Sequence, residues 1–546
     1  MTVVASFLNS VQDPITAFGT LVALLSSYVF YKTYLYPNFL SPLRHIPGPP
    51  NTSKYNKYNL PFLGNFLDIL REEAGVPHRA WIDRYGGLVC YRGLFNNQRV
   101  LLADPKAIQH VFIANSYKYV KPSRTRRLLG QVTGYGVLLA EGDAHKKQRK
   151  MINPAFGLGH IKEMVPIMAG PAALMAKMWT KRVEQSDSKV VEFDITTDIS
   201  RATLDIIGQA GFGYDFRSLV DPDSELSQAY RELFEMTSNV VALLRIFLPF
   251  YVYIPFEHNR RRWRAIRAID RVTSHLISEK KAQTVADAFE SEDEDEKVGK
   301  ARDLMSILIR GNEQVGSLED GKLNDQELKD QILTFLAAGH ETTSTTVTWM
   351  LHVFSTHPEV QKRVRDEMLS EIGRPAEGKT LSYDALNALP YLNACVKELL
   401  RFVSPVPTTS RVAAEDDNIL GYDIPKGTQV FMSPAALHKL KSVFGEDAEE
   451  FKPERWMDPS KMADSQTNTK FVTPDMSWAY IPFLVGPRNC IGSKFALIET
   501  KILLYYILLD LEFEPSPGFK FKKVARVTWR PSPGMKLRVK RVSSSA

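Results

Sequence analysis

The ten residues Phe483-Leu484-Val485-Gly486-Pro487-Arg488-Asn489-Cys490-Ile491-Gly492 set a lone cysteine in a glycine-flanked loop, with an arginine two positions before it. An apolar, helix-like run from Ile491 to Leu511 follows. A thiol so placed suits a metal. At a helix N-terminus the positive end of the dipole and the free backbone N–H groups lower a cysteine's pKa. Gly486 and Gly492 allow the backbone to turn tightly and to approach a flat cofactor. Arg488 can pair with a carboxylate of such a cofactor in a charge-assisted hydrogen bond. An isolated cysteine would be read as a buried structural residue. The whole pattern F-x-x-G-x-R-x-C-x-G is far more specific.

Three further segments carry chemistry. Ala338-Gly339-His340-Glu341-Thr342-Thr343 puts small residues, a carboxylate and a hydroxyl on one helix, which supplies a surface for a flat ring and a proton source beside it. Lys397-Glu398-Leu399-Leu400-Arg401 places an acid and an arginine at i, i+3 on a helix face, and Phe451-Lys452-Pro453-Glu454-Arg455-Trp456 adds a second arginine downstream. Alone, the first pair would be an exposed ion pair of little energetic weight. Gly142-Asp143-Ala144-His145-Lys146-Lys147-Gln148-Arg149 carries a histidine and an arginine at i, i+4 within a basic helix.

In this order the segments resemble the haem-binding loop, the oxygen-activation segment A-G-x-[D/E]-T, the E-x-x-R plus P-E-R elements and the W-x-x-x-R helix of the cytochromes P-450. The resemblance runs from the N-terminal apolar stretch to the C-terminus. It implies haem b, with Cys490 as the axial thiolate ligand to iron, a role known for this family. Phe483 and Arg488 would belong to the haem loop, and His145, Arg149 and Arg411 would bind the propionates. His145 stands where the family has tryptophan, and its ring N–H can still donate. Arg124 matches a propionate-binding arginine more weakly. Glu341 and Thr342 would deliver protons, with His340 at a variable position and without a role. Glu398, Arg401 and Arg455 would form a buried triad that locks the haem loop onto the core. The implied reaction inserts one atom of O₂ into an apolar small molecule, with electrons from NADPH through a separate cytochrome P-450 reductase, since the chain has no room for a flavin domain; cytochrome b5 is a second candidate donor. The wording Ala140-Glu141-Gly142-Asp143-Ala144-His145 onward is similar to fungal members, which often tailor terpenoids. Two other classes are a P-450-fold enzyme that rearranges or dehydrates peroxides without O₂, and a non-catalytic haem-binding sensor. The intact Glu341-Thr342 pair argues against both.

The elements that must position these residues follow from composition and pattern. The chain has 546 residues, 44% hydrophobic and 24% charged, which is globular composition. The expected fold class is mainly α with a minor β part. A net charge of +7, from Lys and Arg scattered without a nucleic-acid motif, fits an acidic partner or an anionic membrane face and gives no reason to invoke nucleic acid. Cys90, Cys395 and Cys490 are far apart, which argues against a disulfide framework and for a reducing compartment.

Pro14 to Tyr31 is apolar and uncharged, about the minimum for a membrane span. Asp13 precedes it, and Lys32, Arg44, Lys54 and Lys57 follow, so the body is expected in the cytosol, on the endoplasmic reticulum as a single-pass protein. The sequon Asn51-Thr52-Ser53 would then go unused. Residues 1–45 are expected to form the anchor, 46–50 a stiff proline-rich hinge and 51–546 one catalytic domain. A hairpin is expected around Asn96-Asn97, helices after Asp104 and over 142–151, 160–184 and 198–210, and a long helix over 325–354 with Asp325 as N-cap. Short strands are expected at 190–193, 408–413 and 429–432, with a terminal hairpin near Lys536–Val542. Met236–Phe256 reads as core or as a roof over a substrate cavity, and Glu290–Glu296 as a solvated acidic loop.

Overall fold

A computed structural model describes residues 14–51, 62–221, 248–290, 303–315, 321–375, 381–457, 474–525 and 527–542, together with scattered positions between 223 and 241. Most of the Met236–Phe256 stretch and the acidic run after Glu290 lie outside the described residues, as do Thr52, Ser53, Lys54 and Lys57. The described chain is mostly helix with a minor sheet part, and divides into two compact units, 1–120 with 408–443, and 121–407 with 444–546.

The first unit begins with helix α1, Pro14–Phe30, which buries no residue and continues through a wider π-helical stretch, Tyr31–Leu40. Together Pro14–Leu40 is long and apolar enough to cross a membrane, and extends past the expected end at Tyr31. The proline-rich segment then packs on a strand: Cys90 N–H donates to Pro47 O at 2.9 Å, and Ile46 is buried. Gly48 is required there, because a Cβ would lie 1.8 Å from Cys90 O. Strands Leu88–Arg92 and Gln98–Leu102 pair antiparallel as expected, with Leu94–Asn96 forming the turn. The sheet continues through Gln429–Met432, Thr409–Ala413 and Tyr119–Val120. Asp104 caps the following helix, its carboxylate accepting from Lys106 N and Ala107 N.

The second unit carries helix α2 (Gly142–Ile152), α3 (Leu158–Glu184), α4 (Ile195–Phe212), α5 (Asp325–Thr356), α6 (Pro390–Phe402) and α7 (Ser493–Leu508). α5 packs on α4 and α7, and α3 packs on α4 and α7. The expected start of α5 is one residue late. Asn324 is the N-cap, and Glu327 three residues on completes a capping box, which satisfies two otherwise unpaired N–H groups. α5 is buried nearly all round, with Leu328, Ile332, Val347, Met350 and Phe354 fully inside.

The terminal strand also differs from expectation. Lys536–Arg541 is the middle of a three-stranded sheet, antiparallel to Val190–Asp194 on one side and Leu511–Pro515 on the other. Its alternation puts Leu537 and Val539 inside. A separate hairpin, Lys522–Ala525 with Trp529–Ser532, lies between the last two strands in sequence.

Candidate active site

The loop before α7 closes on itself. Cys490 N–H donates to Phe483 O at 2.9 Å, and Asn489 N–H to Gly486 O at 3.1 Å. Gly486 supplies the left-handed backbone this turn needs, at φ 79°. Phe483 is half-buried and Cys490 exposed. α7 starts three residues after Cys490, with Gly492 as its N-cap. One face of the thiol is open and the rest is enclosed by protein. That enclosure pushes its pKa up, against a hydrogen bond from the Gly492 backbone and the Arg149 guanidinium, which act the other way. The direction is opposite to that expected from the helix start, because desolvation outweighs these two contributions.

α2 is tied to this loop. Arg149 donates from Nη1 to Asn489 O at 2.7 Å, from Nη2 to Asn489 Oδ1 at 2.9 Å and from Nε to Asn153 Oδ1 at 2.9 Å. Arg488 is buried and donates to Glu141 Oε2 at 2.5 Å and to Ala140 O at 2.6 Å. Glu141 also accepts the Lys121 N–H at 2.9 Å. Burial pushes the Glu141 carboxyl up, but the hydrogen bonds from Arg488 and Lys121 outweigh it and hold the carboxyl below its ordinary value. His145, one turn on, is buried. Burial first, then the Arg488, Lys121 and Arg149 cations, lower its pKa to about 4, so the ring is neutral near pH 7. Glu141 escaped the sequence reading. Its one signal is an acidic residue directly before the Gly142-Asp143-Ala144-His145 segment. Of the lysines around Arg149, Lys146 and Lys150 are exposed, whereas Lys147 is half-buried and bonded to Glu327 at 3.0 Å.

On α5, Ala338 is exposed and Thr342 half-buried, in a helix otherwise packed on most sides. Their four-residue spacing puts them on one face. Thr342 Oγ1 donates to Ala338 O at 2.7 Å. Gly339 also allows α4 to approach: a Cβ there would lie 3.1 Å from Ile207 Cδ1. Glu341 is buried. Its carboxylate accepts from Thr528 Oγ1 and from Arg530, both from the C-terminal hairpin. His340 Nε2 bonds Ser200 Oγ of α4 at 2.7 Å, and burial, helped by the Arg530 cation, lowers its pKa to about 4.

Glu398, Arg401 and Arg455 stand together. Arg401 donates from Nε and Nη2 to the two Glu398 oxygens at 2.8 and 2.7 Å, with both side chains fully buried. Arg401 also donates to Ala448 O at 2.6 Å and Glu450 O at 2.7 Å. Arg455 approaches Glu398 at 3.5 Å and bonds Phe444 O, at 2.7 Å, and Asp447 Oδ1, at 3.0 Å. Two contributors were not read from the sequence: Trp456 Nε1 and the Lys452 N–H, which donate to Glu398 at 2.8 and 2.9 Å. Arg411 belongs to the other unit. It is buried there, donates to Thr409 Oγ1 at 3.0 Å and Ser410 O at 2.8 Å, and stacks on the Phe112 ring.

These residues fit a haem. An exposed cysteine, held by its own loop and by Arg149, heads α7, and α5 offers an open strip of small side chains from Ala338 to Thr342. The family model for cytochrome P450 matches residues 55–537, and the chain belongs to that family, whose cofactor is haem. Among its relatives are cytochrome P450 monooxygenase 205 of Postia placenta, 35% identical over 90% of each chain, and cytochrome P450 monooxygenase sphH of Aspergillus fumigatus, 32% identical over 90% of this chain and 87% of that protein. A third, ganoderic acid synthetase CYP5150L8 of Ganoderma lucidum, is 30% identical over 90% of this chain and 91% of that protein. The chain is accordingly a cytochrome P450 monooxygenase.

Proposed function

We propose that this protein is a membrane-anchored haem-thiolate monooxygenase that oxidises an apolar small molecule, in the class of terpenoid secondary metabolites, using electrons passed from NADPH by a separate reductase, with cytochrome b5 as a second candidate donor. The observation that carries the reading is the exposed Cys490 at the head of α7, in a loop fastened to α2 through Arg149 and Asn489. The fungal relatives, one of them named for ganoderic acid synthesis, support a biosynthetic role.

Cys490 would hold the iron and Phe483 would shape the loop around it, while Arg488, Arg149 and His145 would hold the propionates. When bound, the haem supplies O₂ binding and activation, with the thiolate donating electron density. The neutral His145 can donate one hydrogen bond without adding charge. Thr342 places a hydroxyl on the open face of α5, and Glu341, adjacent in sequence and held by Thr528 and Arg530, would supply the carboxylate of the proton path. Glu398, Arg401 and Arg455 would hold the segment that leads into the loop.

Thr342→Ala is expected to leave haem binding and the first reduction nearly intact while shifting NADPH consumption from product to hydrogen peroxide. A factor of ten in that partition corresponds to only about 1.4 kcal/mol between competing barriers, which one lost hydrogen bond can supply. Peroxide formed per NADPH oxidised is the measurement. An unaltered ratio would remove Thr342 from the mechanism, and turnover without NADPH or O₂ would favour a rearranging enzyme.

Residues 1–45 would anchor the protein, 46–50 join the anchor to the body and 51–546 form the catalytic domain. Pro14–Leu40 with the cations after it supports a lumenal N-terminus and a cytosolic body on the endoplasmic reticulum. Protease added to intact microsomes should digest the body, and full protection would contradict this orientation.

A further inference from the structure

We propose that Arg530 is the positioning residue for Glu341: the C-terminal hairpin grips the carboxylate and so sets how much reducing power ends in product. The inference rests on the reading above that Glu341 and Thr342 move protons. Arg530 reaches Glu341 with a fork. Nε donates to Oε1 and Nη2 pairs with Oε2, while Thr528 Oγ1 adds a second donor to Oε1. A bidentate guanidinium fixes the plane and the direction of a carboxylate, which a single point charge cannot do. The Glu341 side chain is 8% exposed, so few other groups can compete for it.

The hairpin that carries the fork is itself fixed. Between Thr528 and Arg530, Trp529 is buried. Its N–H donates to Pro405 O at 2.9 Å, and its carbonyl accepts from Trp349 Nε1 at 3.2 Å. Trp349 lies on α5, two turns beyond Glu341. Extended chain turns alternate residues to opposite sides, so with Trp529 held inward, Thr528 and Arg530 leave the backbone on the same side. Both reach Glu341. The acid is thus held from a segment 189 residues away in sequence, and Glu341 does not set its orientation alone.

Each NADPH oxidised has two outcomes. Either RH + O₂ + NADPH + H⁺ gives ROH + H₂O + NADP⁺, or O₂ + NADPH + H⁺ gives H₂O₂ + NADP⁺. A misdirected Glu341 favours the second. In full-length holoenzyme with reductase, Arg530→Gln is expected to raise peroxide per NADPH at least about threefold, close to the effect of Glu341→Gln, because small barrier differences move such partitions. The double variant should rise no further, since each change removes the same interaction. An additive rise, or a wild-type ratio in Arg530→Gln, would overturn the proposal. Hydrogen–deuterium exchange of residues 522–532 reads the grip without turnover: it should increase in either single variant and no further in the double. Unchanged exchange in both single variants overturns the grip even in a coupled enzyme. If wild type consumes no NADPH, the monooxygenase reading fails, and exchange still decides whether Arg530 holds Glu341. Should Arg530→Gln fail to fold, Arg530→Lys, which keeps the cation and loses the fork, is expected to give the same rise in peroxide and in exchange, and wild-type values for both would overturn the proposal.

Discussion

Arg401→Ala is expected to destabilise the second unit by about 3–5 kcal/mol, because it leaves Glu398 as a buried charge without its main partner. Glu398 and Arg401 are fully buried, and Arg401 also satisfies Ala448 O and Glu450 O, so two backbone acceptors lose their donor in the same substitution. Domains are stable by only about 5–15 kcal/mol, so the loss should appear as low yield of folded holoprotein as well as a lowered urea midpoint. The exposed pair Arg363–Glu454 gives the control: with both partners about half exposed, Arg363→Ala should cost no more than about 1 kcal/mol. Equal and small effects of the two substitutions would show that burial of the Glu398 cluster contributes nothing.

Cys490→Ser is expected to abolish monooxygenase activity while leaving the fold nearly intact. The cysteine is exposed and its backbone N–H, which closes the loop on Phe483 O, is kept in serine. A hydroxyl is a far weaker anionic ligand than a thiolate, so the loss falls on the cofactor and its electron density. The reduced carbon monoxide spectrum of the variant should lose the red-shifted thiolate band, with a thermal midpoint within a few degrees of wild type. Persistence of that band would remove Cys490 as the ligand.

Local pattern made much of the fold readable. Amphipathic patterning placed α3 and α4, a cap and a proline-free run placed α5, and two apolar runs flanking Asn96-Asn97 placed the strands there. Partners across long separations were not readable in the same way. Lys536–Arg541 has the alternation of a strand, but nothing in it says that Val190–Asp194 will be one neighbour. From the sequence Asp325 alone is expected to cap α5; Asn324 beside it is an equally good capping residue, and the reach of Glu327 back to the Asn324 N–H separates them. The site divides the same way. The family resemblance supplied Cys490, Arg149, Glu341, Thr342 and the Glu398 cluster as expectations. Glu141, Trp456 and Arg530 came only with the structure, since each meets its partner across a large sequence gap. Gly339 shows the reverse limit: the motif assigns the small residue to the cofactor, and its close approach to Ile207, a helix contact, came only with the structure.

As a monooxygenase of the proposed kind, this chain is expected to insert one atom of O₂ into an apolar substrate. The direct test is turnover with reductase and NADPH under ¹⁸O₂, using a substrate first identified by its shift of the Soret band. The expected product carries one ¹⁸O atom per oxidation, and formation stops when NADPH is withheld. Product oxygen drawn from water, or product formed without NADPH, would contradict the claim.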